Sequence, residues 1–345
     1  MLNHPAILLA ALSLLIAIDA NATDACRSEG IRTRAEVSVS DGTGFQTETW
    51  YHLPNATAIR HLRDDVQLVA IDGPYGWAQS GDSIDIGNDF YRQFAIGHQF
   101  HAILLHFDDI VSDPASTDVQ FGGVTYNALS GSGPHGGSIA LVLSEDARRP
   151  VGLLFKFPDT PRIEARFMNW QTFGEHQLPS VIVIDDTERE FEYCYSDIAV
   201  TDEDPLWYFE AVPAPNADEV AMYRLHRRLL AAHCLGDAEM MANLSLPETV
   251  IANRGVVSQV TREATSTRFK GAFERFDYTA YTDILPPAIT VSESGDLGWV
   301  AVNVIASGTD RVSGERFEDQ WAWIMMMQKI DGRWLHAGNA SNRKP

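Results

Sequence analysis

The sequence predicts an α+β fold in two units: a broad antiparallel β-sheet with a helical insert, then a cone in which helices pack on a curved antiparallel sheet. Three observations carry this. Across residues 31–195, runs of alternating apolar and polar residues are separated by turn signals such as Asp41-Gly42-Thr43-Gly44 and Gly73-Pro74-Tyr75-Gly76, the mark of antiparallel strands. Residues 217–235 place Met222, Leu225, Leu229 and Ala232 at three- and four-residue steps, which makes one apolar helix face. Between the two, Val212-Pro213-Ala214-Pro215 carries two prolines in three residues. Proline favours extended backbone, so 212–216 reads as a linker between a sheet domain at 23–211 and a cone domain at 217–342.

Charge supports the division. The chain has 345 residues and a formal net charge of −21; residues 23–215 hold 30 acidic and 12 basic side chains, and residues 216–345 hold 16 and 14. An acidic surface repels phosphate backbones and no basic, aromatic-studded stripe overrides it, so nucleic acid is excluded as a partner. Residues 1–22 read as a secretory signal: an almost unbroken apolar run at 6–18 precedes Ala20-Asn21-Ala22, although the amino end carries His4 and no Lys or Arg. The run is shorter than the roughly 20 residues of a membrane span. No second long apolar run follows. The expectation is a periplasmic or secreted chain, cleaved near Ala22 and not an integral membrane protein. Of the three cysteines, Cys26 and Cys194 are available for a bridge in an oxidising compartment, whereas Cys234 lies in an apolar helix and reads as a buried thiol. Thr23-Asp24-Ala25 matches a lipobox poorly.

Taken in order, strands are expected at 31–53 around the Asp41 turn, at 66–71, and near Trp77. Residues 88–111 read as helix broken at Gly97, and 122–137, rich in Gly, Ser and Pro, as loop. Strands resume at 139–143, 151–157, 163–170, 181–184 and 190–195. In the second unit Asn216 with Glu219 forms a capping-box signal, Gly236 stops the first helix, and Thr261 caps another carrying Phe269 and Phe273. Strands follow at 278–282, 288–292, 299–306, 320–330 and 334–340, with turns at Gly295-Asp296, Ser313-Gly314 and Asp331-Gly332.

Residues 217–342 resemble the SnoaL-like branch of the nuclear transport factor 2 superfamily. The features are the helix ending in Leu235-Gly236-Asp237, the hairpin ESGDLGWVAVNV, and the closing QWAWIMMMQKIDGRWLHAGNASN with its Asp331-Gly332-Arg333-Trp334 turn. The resemblance implies a cone fold that hosts isomerases, cyclases, dehydratases and binding modules alike. It also implies pairing through the outer sheet face, hence a homodimer. More loosely, the first unit resembles the periplasmic lipoprotein-carrier fold, a half-open antiparallel sheet over a helix, through 66–77 and LPSVIVIDDTEREFEYCYSDIAV.

Strand alternation selects the side chains that look into the cone. Trp299 and Asn303 share one face of their strand; Trp321, Trp323 and Met325 share one face of the next; His336 faces with Trp334 on the last. An aromatic and thioether lining with a few polar groups suits a small apolar or amphipathic ligand; the plain alternative is core packing. Tyr223 and His226, one turn apart on the first helix, would reach the cone mouth and, with His336, are the catalytic candidates of an isomerase- or hydratase-like enzyme. No carboxylate can be placed inside, which leaves proton abstraction unsupported and favours an exposed Tyr223 and a satisfied His226. In the first unit His98 and His101 are three apart on a helix, but the zinc pattern His-Glu-x-x-His is absent. LSGSGPHGGS lacks a phosphate loop's Gly-Lys-Ser/Thr ending. No metal or cofactor is therefore expected. The reading is a non-catalytic binding protein, with the enzyme second and a cell-envelope interaction protein third.

Overall fold

The computed structural model describes residues 26, 28–52, 56–62, 67–81, 83–133, 136–144, 149–157, 162–185, 188–203, 212, 215 and 217–344. The signal assigned to 1–22 and the cap residue Asn216 lie outside them. Among the described residues two compact units form, one within 29–203 and the other made of 26 and 28 with 212–344.

The first unit is one 13-stranded sheet in which β13 returns beside β1. Its first six strands are a meander: β1 (Ser28–Val39), β2 (Gly44–His52), β3 (Ala56–Leu62), β4 (Gln67–Asp72), β5 (Tyr75–Ser80) and β6 (Ser83–Ile86). Three short helices follow, α1 (Asn88–Ile96), α2 (Phe100–Leu105) and α3 (Phe107–Ile110). The remaining strands are β7 (Ser112–Phe121), β8 (Val124–Ser132), β9 (Ser138–Leu143), β10 (Pro150–Lys156), β11 (Ile163–Phe173), β12 (His176–Asp185) and β13 (Glu190–Glu203). β1 shows why the chain is a sheet here. Thr33, Ala35, Val37 and Val39 are buried while Arg32, Arg34 and Glu36 point to solvent, and Arg34 meets Glu48 directly across the strand pair, Nη2 to Oε1 at 2.6 Å. The helical insert does break at Gly97. Its Ile96, Phe100, Ile103 and Phe107 join Ile59, Ile71, Leu153 and Phe155 in the main core.

Residues 124–132, expected as loop, are strand β8, and β7 before them is a full strand as well. The turn between them uses Gly122 and Gly123, at φ 57° and 78°. These strands are poor in β-formers and mostly exposed, so they carry little alternation; pairing of β8 with β9, through Ala128 opposite Val142 and Leu129 opposite Leu141, and of β7 with β8 decides their state.

The second unit comprises α4 (Asp218–Leu235), α5 (Ala238–Asn243), β14 (Ser245–Asn253), β15 (Val256–Thr261), α6 (Arg262–Arg275), β16 (Phe276–Asp283), β17 (Ala288–Val291), β18 (Leu297–Asp310), β19 (Arg316–Ile330) and β20 (Arg333–Arg343). The sheet order is β15-β14-β20-β19-β18-β16, with β17 also on β18. The β14–β20 pairing is parallel; the others are antiparallel. Met222, Leu225, Leu229 and Ala232 of α4 pack on Val300, Val302, Val304, Met325 and Met327. α4 ends with Gly236 at φ 63°, a left-handed conformation that costs glycine little. Thr261 caps α6 by accepting from the Ala264 amide at 3.2 Å. α4 has no side-chain cap; instead Asp218 accepts from Lys329 Nζ at 2.6 Å and Trp334 Nε1 at 2.9 Å, which fastens the helix start to the β19–β20 hairpin.

The cysteine expectation is overturned. Cys26 is bonded to Cys234, and Cys194 is free and exposed on β13. Cys26 lies beside β16, where its amide donates to the Thr279 carbonyl at 2.9 Å, so its reach is to α4. Among the described residues, no helix is long and apolar enough to cross a membrane.

Candidate functional site

β18 and β19 are paired so that Val300 stands opposite Met325, Val302 opposite Trp323 and Val304 opposite Trp321. Residues directly opposite share a face. The valines are therefore the inner residues of β18, fully or nearly buried, whereas Trp299 is 47% exposed and Asn303 is exposed on the outer face. Trp299 and Asn303 thus do not line the cone. The inward strand face is the β-branched one, and the large aromatic at 299 drew the expectation to the wrong side. On β19, Trp321, Trp323 and Met325 face inward.

β20 keeps two parities. His336 stands opposite Met327, but Gly338 stands opposite Met326, so Ala337 is an extra residue in the strand. This β-bulge reverses the alternation beyond it. As a result Asn339 stands opposite Met325 and Ser341 opposite Trp323, on the inner face together with His336.

Beneath this face is a cavity of about 260 Å³. Its sheet wall is Trp321, Trp323, Met325, His336, Asn339 and Ser341. α4 contributes His226, Leu229, Leu230 and His233. α6 adds Thr265, Arg268 and Phe269, and β16 adds Tyr278 and Tyr281. Aromatic packing continues around the wall: His233 stacks on Tyr281 with ring centroids 3.9 Å apart, and Tyr281 lies 6.3 Å from Trp323.

Of the catalytic candidates, Tyr223 is buried rather than exposed and is not among the residues bordering the cavity. His226 is fully buried, and its Nε2 lies 2.8 Å and 3.0 Å from the two oxygens of Asp283 at the end of β16. A carboxylate only accepts, so Nε2 carries the proton; Nδ1 is buried with no hydrogen-bond partner. Asp283 is the carboxylate that sequence reasoning missed. It lies 57 residues from His226, at the end of β16, which pairs with β18 and packs on α4. His336 Nδ1 is 3.2 Å from Ser245 Oγ, which donates to the Met241 carbonyl.

Burial sets the charge state of the cavity. It lowers His336 and His233 to about 4, with the Arg268 charge adding to the effect on both, so each is neutral at pH 7. Burial also raises Tyr278 to about 12, and raises Tyr281 further. Both remain protonated donors. Arg268 stands over Phe269, its Cζ 4.7 Å from the ring centroid, and burial lowers its guanidinium below the ordinary value.

The paired histidines of the first unit are used in packing. His98 Nδ1 is 2.8 Å from the Phe94 carbonyl, and His101 Nε2 is 3.0 Å from that of Pro179. Burial lowers His98 and takes His101 to about 4.

Comparison with protein-family models and with curated proteins gives no match. Solved structures are similar to parts of the chain. A ketosteroid isomerase-like protein from Erwinia carotovora atroseptica is 14% identical, with a TM-score of 0.31 over 38% of this chain and 100% of that one. An NTF2-like protein from Cytophaga hutchinsonii is 15% identical, with a TM-score of 0.30 over 36% and 95%. A LolA superfamily protein from Nitrosomonas europaea is 14% identical, with a TM-score of 0.39 over 59% and 99%. The chain is similar in part, at low identity, to NTF2-like and LolA-superfamily structures.

Proposed function

We propose that the cone unit binds a small apolar or amphipathic molecule in its cavity without converting it, in a chain exported to the periplasm or secreted. The carrying observation is the chemistry of the cavity's polar groups. A general base works best with a pKa near the working pH. His233 and His336 sit near 4 and Tyr278 near 12, so these groups offer hydrogen bonds at pH 7 and exchange protons poorly. His226, the histidine with a carboxylate behind it, borders the cavity but is fully buried, with its Nε2 already engaged by Asp283. An isomerase- or hydratase-like reaction through Tyr223, His226 and His336 accordingly has less support than binding on Trp321, Trp323, Met325 and His336.

The Cys26–Cys234 bond supports export, since disulfides persist in oxidising compartments. The outer face of the cone sheet carries Trp299, Ile324 and Met326, all more than 40% exposed. This apolar surface supports a homodimer in which two copies of the cone cover one another. Sedimentation of the oxidised chain tests that point: Trp299→Glu with Met326→Glu should give monomers, and a wild-type monomer at all concentrations refutes it.

The binding reading is tested by native mass spectrometry of protein taken from the periplasm of the producing cell. An adduct that organic extraction releases, and that Trp323→Glu abolishes, supports it. A chain recovered empty at its own mass, under conditions that preserve adducts on a control binding protein, overturns it.

A further inference from the structure

We infer that the ligand carries an anionic group, a carboxylate on a flat aromatic or short aliphatic body, and that Arg268 receives it at the edge of the cavity. The inference rests on the binding reading above and names the ligand class for the same site.

The first support is what the cavity lacks. In a chain with 47 acidic residues and a net charge of −21, no Asp or Glu among the described residues borders this space. The two carboxylates closest in effect are already engaged. Asp283 is held by His226, and Asp319, whose charge reaches Tyr278 and Tyr281, pairs with Arg343 Nη2 at 2.5 Å. The second support is the state of Arg268. Three other arginines of this unit pair with carboxylates, Arg275 with Asp310 at 2.7 Å, Arg311 with Asp277 at 2.8 Å and Arg343 with Asp319, whereas Arg262 donates to the Ser245 carbonyl. Among the described residues, no carboxylate lies within ion-pair distance of Arg268. Its charge nevertheless acts on His233, His336 and Tyr281, three groups on three elements around the cavity.

These facts rank the ligand classes. A cation would meet Arg268 with no acid to offset the repulsion. A neutral molecule would leave the guanidinium to water alone and gain nothing from its charge. A carboxylate supplies the missing charge, and the guanidinium fork matches it with two parallel N–H donors. Arg268 is an exposed residue that also borders the cavity, so the anion sits at the solvent edge and the apolar body points toward Trp323, Leu229 and Met325. Size limits that body. The cavity of about 260 Å³ lies just below the usual range of small-molecule pockets, which suits one or two fused rings or a short chain.

Calorimetric titration of the full, disulfide-bonded chain at pH 7.5 with 2-naphthoate and its neutral isostere 2-naphthamide tests this. The acid should bind wild type at least about tenfold more tightly than the amide, and more weakly as salt rises. Arg268→Gln should bring the acid-to-amide ratio close to one; Arg268→Lys should keep part of the preference. Equal binding of acid and amide to wild type, abolished by Trp323→Glu, overturns the anion assignment and leaves the cavity as a neutral site. A preference that survives Arg268→Gln overturns the role of Arg268. Binding of neither probe overturns the anion assignment and the binding reading together.

Discussion

Cys26 and Cys234 are 208 residues apart in sequence, with a separately compact unit between them. Removing the bond by Cys234→Ser should therefore destabilise the cone unit by an amount that loop-closure entropy sets. If the sheet unit stays folded while the cone unfolds, the slack in the closed loop is residues 27–28 and 204–233, roughly thirty residues, and the chain-entropy relation gives about 4 kcal/mol. If both units unfold together, the whole separation counts and the same relation gives about 5 kcal/mol. The assay is urea unfolding of oxidised wild type, Cys26→Ser and Cys234→Ser, followed by circular dichroism and tryptophan fluorescence. Both variants should lose the same amount, and reductant should bring wild type to their level. A thiol reagent should label one site, Cys194, in the native oxidised chain. Two labelled sites in a wild type that reductant leaves unchanged, or unequal losses in the two variants, would refute the reasoning.

Asp283→Ala leaves His226 Nε2–H buried without an acceptor beside an already unpartnered Nδ1, at a cost of about 1–3 kcal/mol; Asp283→Asn should recover most of it, and an alanine variant as stable as wild type argues against the pair. His101, His233 and His336 have native pKa values near 4, below the unfolded value of 6.5. The unfolded chain thus binds more protons between these limits, and these groups' contribution, complete above about pH 6.5, is lost as pH falls toward 4. Melting temperature should drop from pH 7 to pH 5, less steeply in His233→Phe, and a flat profile contradicts the assignment. Gly338→Ala would place a Cβ 2.3 Å from the Val250 carbonyl oxygen, so it should cost about 1–3 kcal/mol and weaken β14–β20 pairing, read as faster amide exchange in β14.

The parts of this molecule that were legible in the sequence are those that local rules decide. The buried face of α4 follows from residues three and four apart, its end from Gly236, and the inward face of β19 from an unbroken alternation through Trp321, Trp323 and Met325. The parts that were not legible depend on partners distant in sequence. β8 is a strand because β9 pairs with it, and β7 because β8 does, and β18 faces as it does because its valines, not Trp299, stand opposite that inward row. Asp283 reaches His226, and Cys26 reaches Cys234, through the fold alone.

The last strand joins the two cases. Without the extra residue at Ala337, the parity set by Trp334 and His336 would send Gly338, Ala340 and Asn342 inward. With it, Asn339 and Ser341 face the cavity instead. A glycine inside a strand is a recognised mark of such a bulge or of close backbone approach, and Gly338 is both beside the bulge and tight against Val250. The signal was therefore present in the sequence as one residue. That residue decides whether the β20 wall is mainly apolar or offers an amide and a hydroxyl, and hence which ligand chemistry the cavity can hold.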